Sequence, residues 1–272
     1  MKSMRLEYKY LIPKPKLNDL REALIPFVNV DEYAQSRSQK EYTVRSIYFD
    51  TMRLDDYQDK LAGLKIRKKI RIRAYNELEE DSLVFLEVKR KYENHISKNR
   101  SPLLYYDLDQ IFQSGDVDNF LIKKKNYLDE RNDALKFLYL LKIKNCSPVV
   151  NVVYEREAFF SKHDSTLRIT FDKNLRSLAL PKLSNLYKEF GLQRAMRGYF
   201  ILEIKFYNGF PQWLQNILGK FATARRALSK YTVCVDNHGI FNRHISDNKL
   251  LIPSLLNGFN INYQRDSVKN VE

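Results

Sequence analysis

Residues Lys65-Ile66-Arg67-Lys68-Lys69-Ile70-Arg71-Ile72-Arg73 place a basic side chain at every second position. Lys65, Arg67, Lys69, Arg71 and Arg73 share one parity. Leu64, Ile66, Ile70 and Ile72 hold the other, which only Lys68 breaks. Strand side chains alternate faces with a period of two, so this strand has one apolar face and one row of five cations. Like charges in a row repel, and the row is tolerated only in water or opposite a polyanion.

The same alternation recurs with both charge signs. Arg5, Glu7 and Lys9 oppose Leu6, Tyr8 and Tyr10; Glu87, Lys89 and Lys91 oppose Leu86 and Val88. Arg168, Thr170 and Asp172 oppose Leu167, Ile169 and Phe171; Glu203 and Lys205 oppose Leu202, Ile204 and Phe206. The polar faces are ionic, with carboxylates set among Lys and Arg. Two architectures fit: separate amphipathic strands whose charged faces meet water, or a closed antiparallel barrel with a polar lumen and an apolar outer wall covered by helices.

The formal charge of +14 over 272 residues and a pI of about 9.5 favour a polyanionic partner: nucleic acid, an acidic membrane surface or a phosphate chain. Two cysteines, Cys146 and Cys234, are too few for a disulfide framework. No apolar run is long enough for a transmembrane helix, and the N-terminus lacks a signal peptide, so a cytoplasmic location is expected.

Strands are expected at 3–12, 43–49, 65–73, 83–91, 96–105, 148–160, 166–172 and 198–207. Helices are expected at 16–27, from an N-cap at Asp50 and Thr51 through Asp59, over 117–143 as one or two, and from Pro211 to about Gly219. The fold class is α+β: one domain over 1–245, with a polar tail at 246–272. Tyr154 is expected to pack between barrel and helices, Lys123–Lys125 to form a solvated helix face, and the four histidines to hold surface or loop roles. Sequence also disfavours a P-loop nucleotide hydrolase, whose phosphate-cradling motif is missing.

The ordered series R-L-E-Y-K-Y (5–10), S-I-Y-F-D-T (46–51), the basic strand, F-L-E-V-K (85–89), L-R-I-T-F-D (167–172), L-E-I-K-F (202–206) and S-K-Y (229–231) resembles the catalytic domain of the vacuolar transporter chaperone (VTC) polyphosphate polymerases. That domain is a member of the triphosphate tunnel metalloenzyme (CYTH-like) superfamily. The resemblance spans residues 3–235.

It implies a tunnel-shaped barrel whose basic lumen grips a triphosphate, and transfer of the terminal phosphate of ATP to a polyphosphate chain. It implies phosphate-handling roles for Lys9, Arg71, Arg73, Lys89, Arg168 and Lys230, with Arg156, Lys205 and Ser229 as further ligands. Either Lys98 or Arg100 should contribute, and the sequence does not choose between them. The implied metal, Mn²⁺ or Mg²⁺, falls to Glu203, with Glu7 second; Glu87 reads better as an ion-pair partner, and Asp172 as a buttress for an arginine. The implied partners are ATP and inorganic polyphosphate or triphosphate, with docking on a separate membrane protein left open.

The chemistry suits these residue types. Phosphoryl transfer needs positioning and charge neutralisation, and the planar arginine fork matches phosphate oxygens. Arg71 and Arg73 would stand roughly 6–7 Å apart along one face. Where hydrolytic and cyclase relatives carry a first glutamate, this chain has Arg5. That departure leans away from water activation by two metals and toward transfer to a phosphate acceptor. The alternatives are a triphosphatase or tripolyphosphatase of the same fold and a non-catalytic polyphosphate-binding protein. A nucleic-acid-binding module is not expected, because carboxylates recur on the charged face and Ile and Leu back the basic strand.

Overall fold

A computed structural model describes residues 5–239 apart from 38, 94, 123–126, 208 and 222–223. The described residues up to Asn237 form one compact unit, the subject below. The expected tail at 246–272 and the run Lys123–Lys125 lie outside the described residues.

The described residues form ten strands: β1 (Leu6–Pro13), β2 (Val28–Val30), β3 (Tyr42–Asp50), β4 (Ile66–Tyr75), β5 (Leu83–Tyr92), β6 (His95–Leu104), β7 (Ser147–Ser161), β8 (Arg168–Ala179), β9 (Gln193–Arg194) and β10 (Tyr199–Phe206). They also form eight α-helices: α1 (Leu17–Leu24), α2 (Glu32–Gln35), α3 (Asp55–Leu61), α4 (Leu108–Ser114), α5 (Val117–Phe120), α6 (Tyr127–Ile143), α7 (Gln212–Phe221) and α8 (Lys230–Asn237). The fold is α+β, as the alternation predicts. The short β2, β9 and α2 and the helices α4 and α8 were not expected, because none carries enough periodic residues to register in sequence. The span 117–143 resolves into two helices, α5 and α6.

The strands form one antiparallel sheet in the order β1-β10-β8-β7-β3-β4-β5-β6, with β2 added on β7 and β9 on β8. Its apolar face is covered in two patches. Ile47, Ile70, Ile72, Leu86 and Val88 pack against α4 and α6 through Leu108, Ile111, Ala134 and Phe137. Ile169, Phe171, Leu202, Ile204 and Phe206 pack against α1 and α7 through Leu20, Leu24, Leu214 and Ile217. The apolar wall is therefore the outer one, and the ionic face is turned inward.

The ends of the sheet, β1 and β6, do not pair with each other. In a flat sheet β1 and β5 would lie about 29 Å apart, six strand spacings. Instead Lys89 of β5 comes within 3.9 Å of Glu7 of β1. The sheet is curled nearly shut, and residues 225–229 cross it from β1 toward β4. Arg225 bridges to Tyr10, the Arg226 amide donates to the Lys9 carbonyl at 2.8 Å, and Ser229 accepts from Lys69 of β4 at 2.6 Å. A side-chain contact between β1 and β5, rather than a ladder, brings the ends of the sheet together.

Asp50 and Thr51 do cap a helix, at a distance. Helix α3 starts four residues after Thr51, and its orphan amides point back at the end of β3. Asp50 accepts from the Asp56 and Tyr57 amides at 3.0 Å each, and the Thr51 hydroxyl accepts from the Asp55 amide at 3.2 Å.

Candidate functional site

The inward face encloses a cavity of about 360 Å³. Register explains its chemistry. In the β1–β10 ladder Glu7 pairs with Lys205 and Lys9 with Glu203, so charges alternate along and across the strands. In the β4–β5 ladder Arg71 faces Glu87, but Lys69 faces Lys89 and Arg67 faces Lys91. Like charges directly opposite each other destabilise a sheet. These two rungs carry no carboxylate of their own, and Lys60 of α3 joins them at the same cavity.

Two carboxylates, Glu7 and Glu203, line the cavity among the many Lys and Arg side chains. They share the Lys9 ammonium, which lies 2.7 Å from Glu7 and 3.6 Å from Glu203. Lys205 approaches Glu203 at 2.6 Å and Lys230 at 3.9 Å. Burial pushes the Glu203 carboxyl up, but Lys205, Lys9, Lys230 and Arg156 outweigh it and hold it well below the ordinary carboxylate range. Burial and Glu203 likewise raise Glu7, and Lys9, Lys89 and Lys205 bring it down to about 2. Both groups are ionised at neutral pH and converge on one cation. That arrangement fits a hard divalent ion in part. Among the described residues no cluster of three or more His, Cys, Asp or Glu exists to enclose such an ion, so any ion here would need most of its ligands from outside the chain.

Lys69 is the opposite case. Burial disfavours its charge, Lys9, Lys89, Arg71 and Lys60 add to the penalty, and the ammonium is held well below the ordinary lysine range. An anion entering the cavity relieves that repulsion.

Arg71 and Arg73 are fixed from behind. Arg71 donates Nε and Nη2 to one oxygen of Glu87 at 2.8 and 2.7 Å, and Nη1 to the Tyr48 hydroxyl at 2.8 Å. Arg73 donates to Ser46 at 3.1 Å. Arg156 is held by both oxygens of Asp172, at 2.6 and 2.8 Å, and Lys230, the first residue of α8, also pairs with Asp172. Glu87 and Asp172 thus serve as buried ion-pair partners, as their sequence setting suggested.

Lys9, Arg71, Arg73, Lys89, Arg156, Lys205, Ser229, Lys230, Glu7 and Glu203 all line the cavity. Three expected ligands do not. Arg168 is drawn to Asp31 at 3.1 Å and to the Tyr42 hydroxyl at 3.2 Å, because the loop before α2 presents a buried carboxylate beside it. Lys98 and Arg100 both turn to Glu87, at 2.6 and 3.3 Å, and Arg100 stacks on the Phe85 ring at 3.5 Å. The sequence could not choose between Lys98 and Arg100; the fold gives both the same partner.

Tyr154 corrects another expectation. It is buried and lines the cavity beneath Arg156 and Lys230, with the Lys230 ammonium 4.7 Å from its ring centroid. It shares parity with Arg156, and that signal was available in the sequence. Tyr48, Lys60, Arg67 and Lys69 are further lining residues absent from the expected ligand set. Tyr48 shares parity with Ser46 on a strand too apolar to advertise its inner face.

The comparisons with known proteins follow the same lines. Residues 4–237 match the family model described as the VTC domain. Subunit 2 of the vacuolar transporter chaperone complex of Saccharomyces cerevisiae is 29% identical over 148 residues, which cover 48% of this chain and 18% of the yeast protein. The matched segment is thus less than a fifth of that relative's length. Among solved structures, the PH1819 protein of Pyrococcus horikoshii aligns with TM-score 0.43 and 12% identity, over 85% of this chain and 99% of its own. HpAC1 of Hippeastrum, an adenylyl cyclase candidate with a dominant triphosphatase activity, aligns with TM-score 0.45 and 15% identity, over 86% and 96%. Both likenesses are distant. The family match over nearly the whole described unit, together with the ordered ionic strands around one basic cavity, places the chain in the VTC domain family.

Proposed function

We propose that this protein is a metal-dependent polyphosphate polymerase that binds the triphosphate of ATP in its basic cavity and transfers the terminal phosphoryl group to a polyphosphate chain. The observation that carries the reading is the pair of like-charge rungs, Lys69–Lys89 and Arg67–Lys91, turned into a cavity beside Arg71 and Arg73. A linear phosphate chain offers the repeated charge that such rungs need, and a cavity of about 360 Å³ admits a chain rather than a duplex.

In this reading Arg71, Arg73 and Arg156 hold phosphate oxygens, while Glu87 and Asp172 keep those guanidinium groups in place. Lys9, Lys89, Lys205 and Lys230 neutralise charge on the transferring group. Ser229 and Lys69 border the same space. A terminal oxygen of the acceptor chain attacks the γ-phosphorus, the bond to the β–γ bridging oxygen breaks, and ADP leaves. Glu203 and Glu7 would hold a Mn²⁺ or Mg²⁺ ion, which supplies charge neutralisation and orientation of the phosphates. Arg5 is exposed and lies over the Tyr207 ring, at 5.8 Å, so the first motif position adds no carboxylate to this site. That supports transfer over hydrolysis. Arg168, Lys98 and Arg100 are assigned supporting rather than ligand roles.

A second reading, a polyphosphate-binding protein without turnover, is favoured by one observation: the Lys9 ammonium already occupies the space between Glu7 and Glu203. No helix among the described residues is long and apolar enough to cross a membrane. We place the domain, over residues 1–245, in the cytoplasm, alone or docked on a separate membrane protein.

The test is a product assay with ATP and Mn²⁺ or Mg²⁺, run beside Glu203→Gln. ADP with polyphosphate, lost in the variant, supports the polymerase. Free phosphate without polymer selects a triphosphatase, and tight tripolyphosphate binding without turnover selects the second reading.

A further inference from the structure

Helix α6 is apolar on two opposite sides. Ala134, Phe137, Leu140 and Leu141 are buried against the sheet. On the reverse side Leu128 is 73% exposed, Leu135 38% and Tyr139 63%. A helix that covers a sheet ordinarily turns a polar face outward, so this second stripe has no role in the fold described above.

The stripe has the spacing of a helix-pairing seam. Leu128, Asn132, Leu135 and Tyr139 follow one another at intervals of four, three and four residues, and all four are exposed. That is the spacing of alternating seam positions in a coiled coil. Two charges flank the seam on one side, Asp129 and Lys136, one heptad apart and of opposite sign.

We infer that the outer face of α6 pairs antiparallel with α6 of a second copy of this chain, forming a two-fold symmetric dimer. The charges choose both partner and direction. In an antiparallel pair, flanking positions on the same side meet each other. Asp129 then meets Lys136 of the second copy, and the reciprocal pair follows by symmetry. Leu128 packs on Tyr139 of the second copy, and Asn132 on Leu135. A parallel pair of the same seam would place Asp129 and Lys136 of the second copy on unlike flanks, out of contact. A single helix pair is smaller than the standard size of stable, specific interfaces, so the dimer should be concentration-dependent. The seam lies on the outer wall, away from the cavity, and the inference stands independently of the function proposed above.

Sedimentation equilibrium of the full chain over a wide concentration series tests it. The expected result is a monomer–dimer equilibrium that Leu135→Asp abolishes without changing tripolyphosphate affinity. Asp129→Lys and Lys136→Asp should each weaken the dimer about tenfold, since two attractive rim pairs become repulsive. The double variant D129K/K136D should restore it, which tests the register even if Leu135→Asp lowers stability. A monomer at every concentration, or a dimer indifferent to both charge swaps, overturns the inference. Leu135-dependent binding of a monomer to phosphatidylserine vesicles would also overturn it, assigning the stripe to a lipid surface.

Discussion

The Tyr231 hydroxyl donates to Asp50 at 2.6 Å, joining residues 181 positions apart. Asp50 is buried at the end of β3, where the same carboxylate also caps α3. Tyr231 follows Ser229 and Lys230, two cavity residues, and its ring stacks on Tyr48, whose hydroxyl accepts from Arg71. One carboxylate therefore links a helix start, the segment that carries Ser229 and Lys230, and the backing of a cavity-lining arginine. Tyr231→Phe removes a single oxygen from this chain. Stability should fall by about 1–2 kcal/mol in denaturant unfolding, and tripolyphosphate affinity should fall with it.

Arg71→Ala should weaken tripolyphosphate binding by about tenfold or more, the scale of one charge-assisted contact. The fold should tolerate the change, because Glu87 keeps Lys98 and Arg100 as partners. Arg73→Ala should weaken binding comparably. Titration calorimetry beside a thermal melt separates affinity from folding.

Glu203→Gln should abolish metal-dependent turnover yet leave tripolyphosphate binding at least as tight as in the parent. The substitution removes a negative charge from a cavity lined mainly by cations, and Lys9, Lys205 and Lys230 remain. Binding measured without metal, set against turnover measured with it, checks both halves.

Asp56 gives a pH dependence with a defined sign. Burial, and Asp50 beside it, push its carboxyl up to about 7, against the pull of Lys68 and Lys144. A carboxyl raised on folding stabilises the native state below its unfolded value near 4, and that contribution is lost as pH rises through 7. Asp56→Asn should therefore gain stability relative to the parent as pH goes from 5 to 8. Denaturant unfolding of both proteins at the two pH values measures the difference. Using the difference cancels groups common to both, such as Lys69.

Much of this was legible in the alternation of charge. Parity assigned the inward row on β4, the Glu7 and Lys9 rung and the Glu203 and Lys205 rung correctly, because a period of two admits no other face. Tyr154 was legible by the same rule. The captures of Arg168 by Asp31 and of Arg100 by Phe85 were not, since each depends on where a distant side chain ends. The segment 225–229 was also hidden: it shows no periodicity, and it meets β1 through one bridge and one backbone hydrogen bond rather than as a strand of the sheet. The cap at Asp50 was read correctly in kind but four residues too close, because a carboxylate reaching back from a strand end leaves no local spacing.

The central claim is that the inward cations form one site for a phosphate chain. Calorimetric titration of tripolyphosphate into the full chain, repeated with Arg71→Ala, tests it most directly. The account predicts saturable binding that the variant weakens by about tenfold. Equal affinity in parent and variant, or no binding by the folded parent, would contradict it.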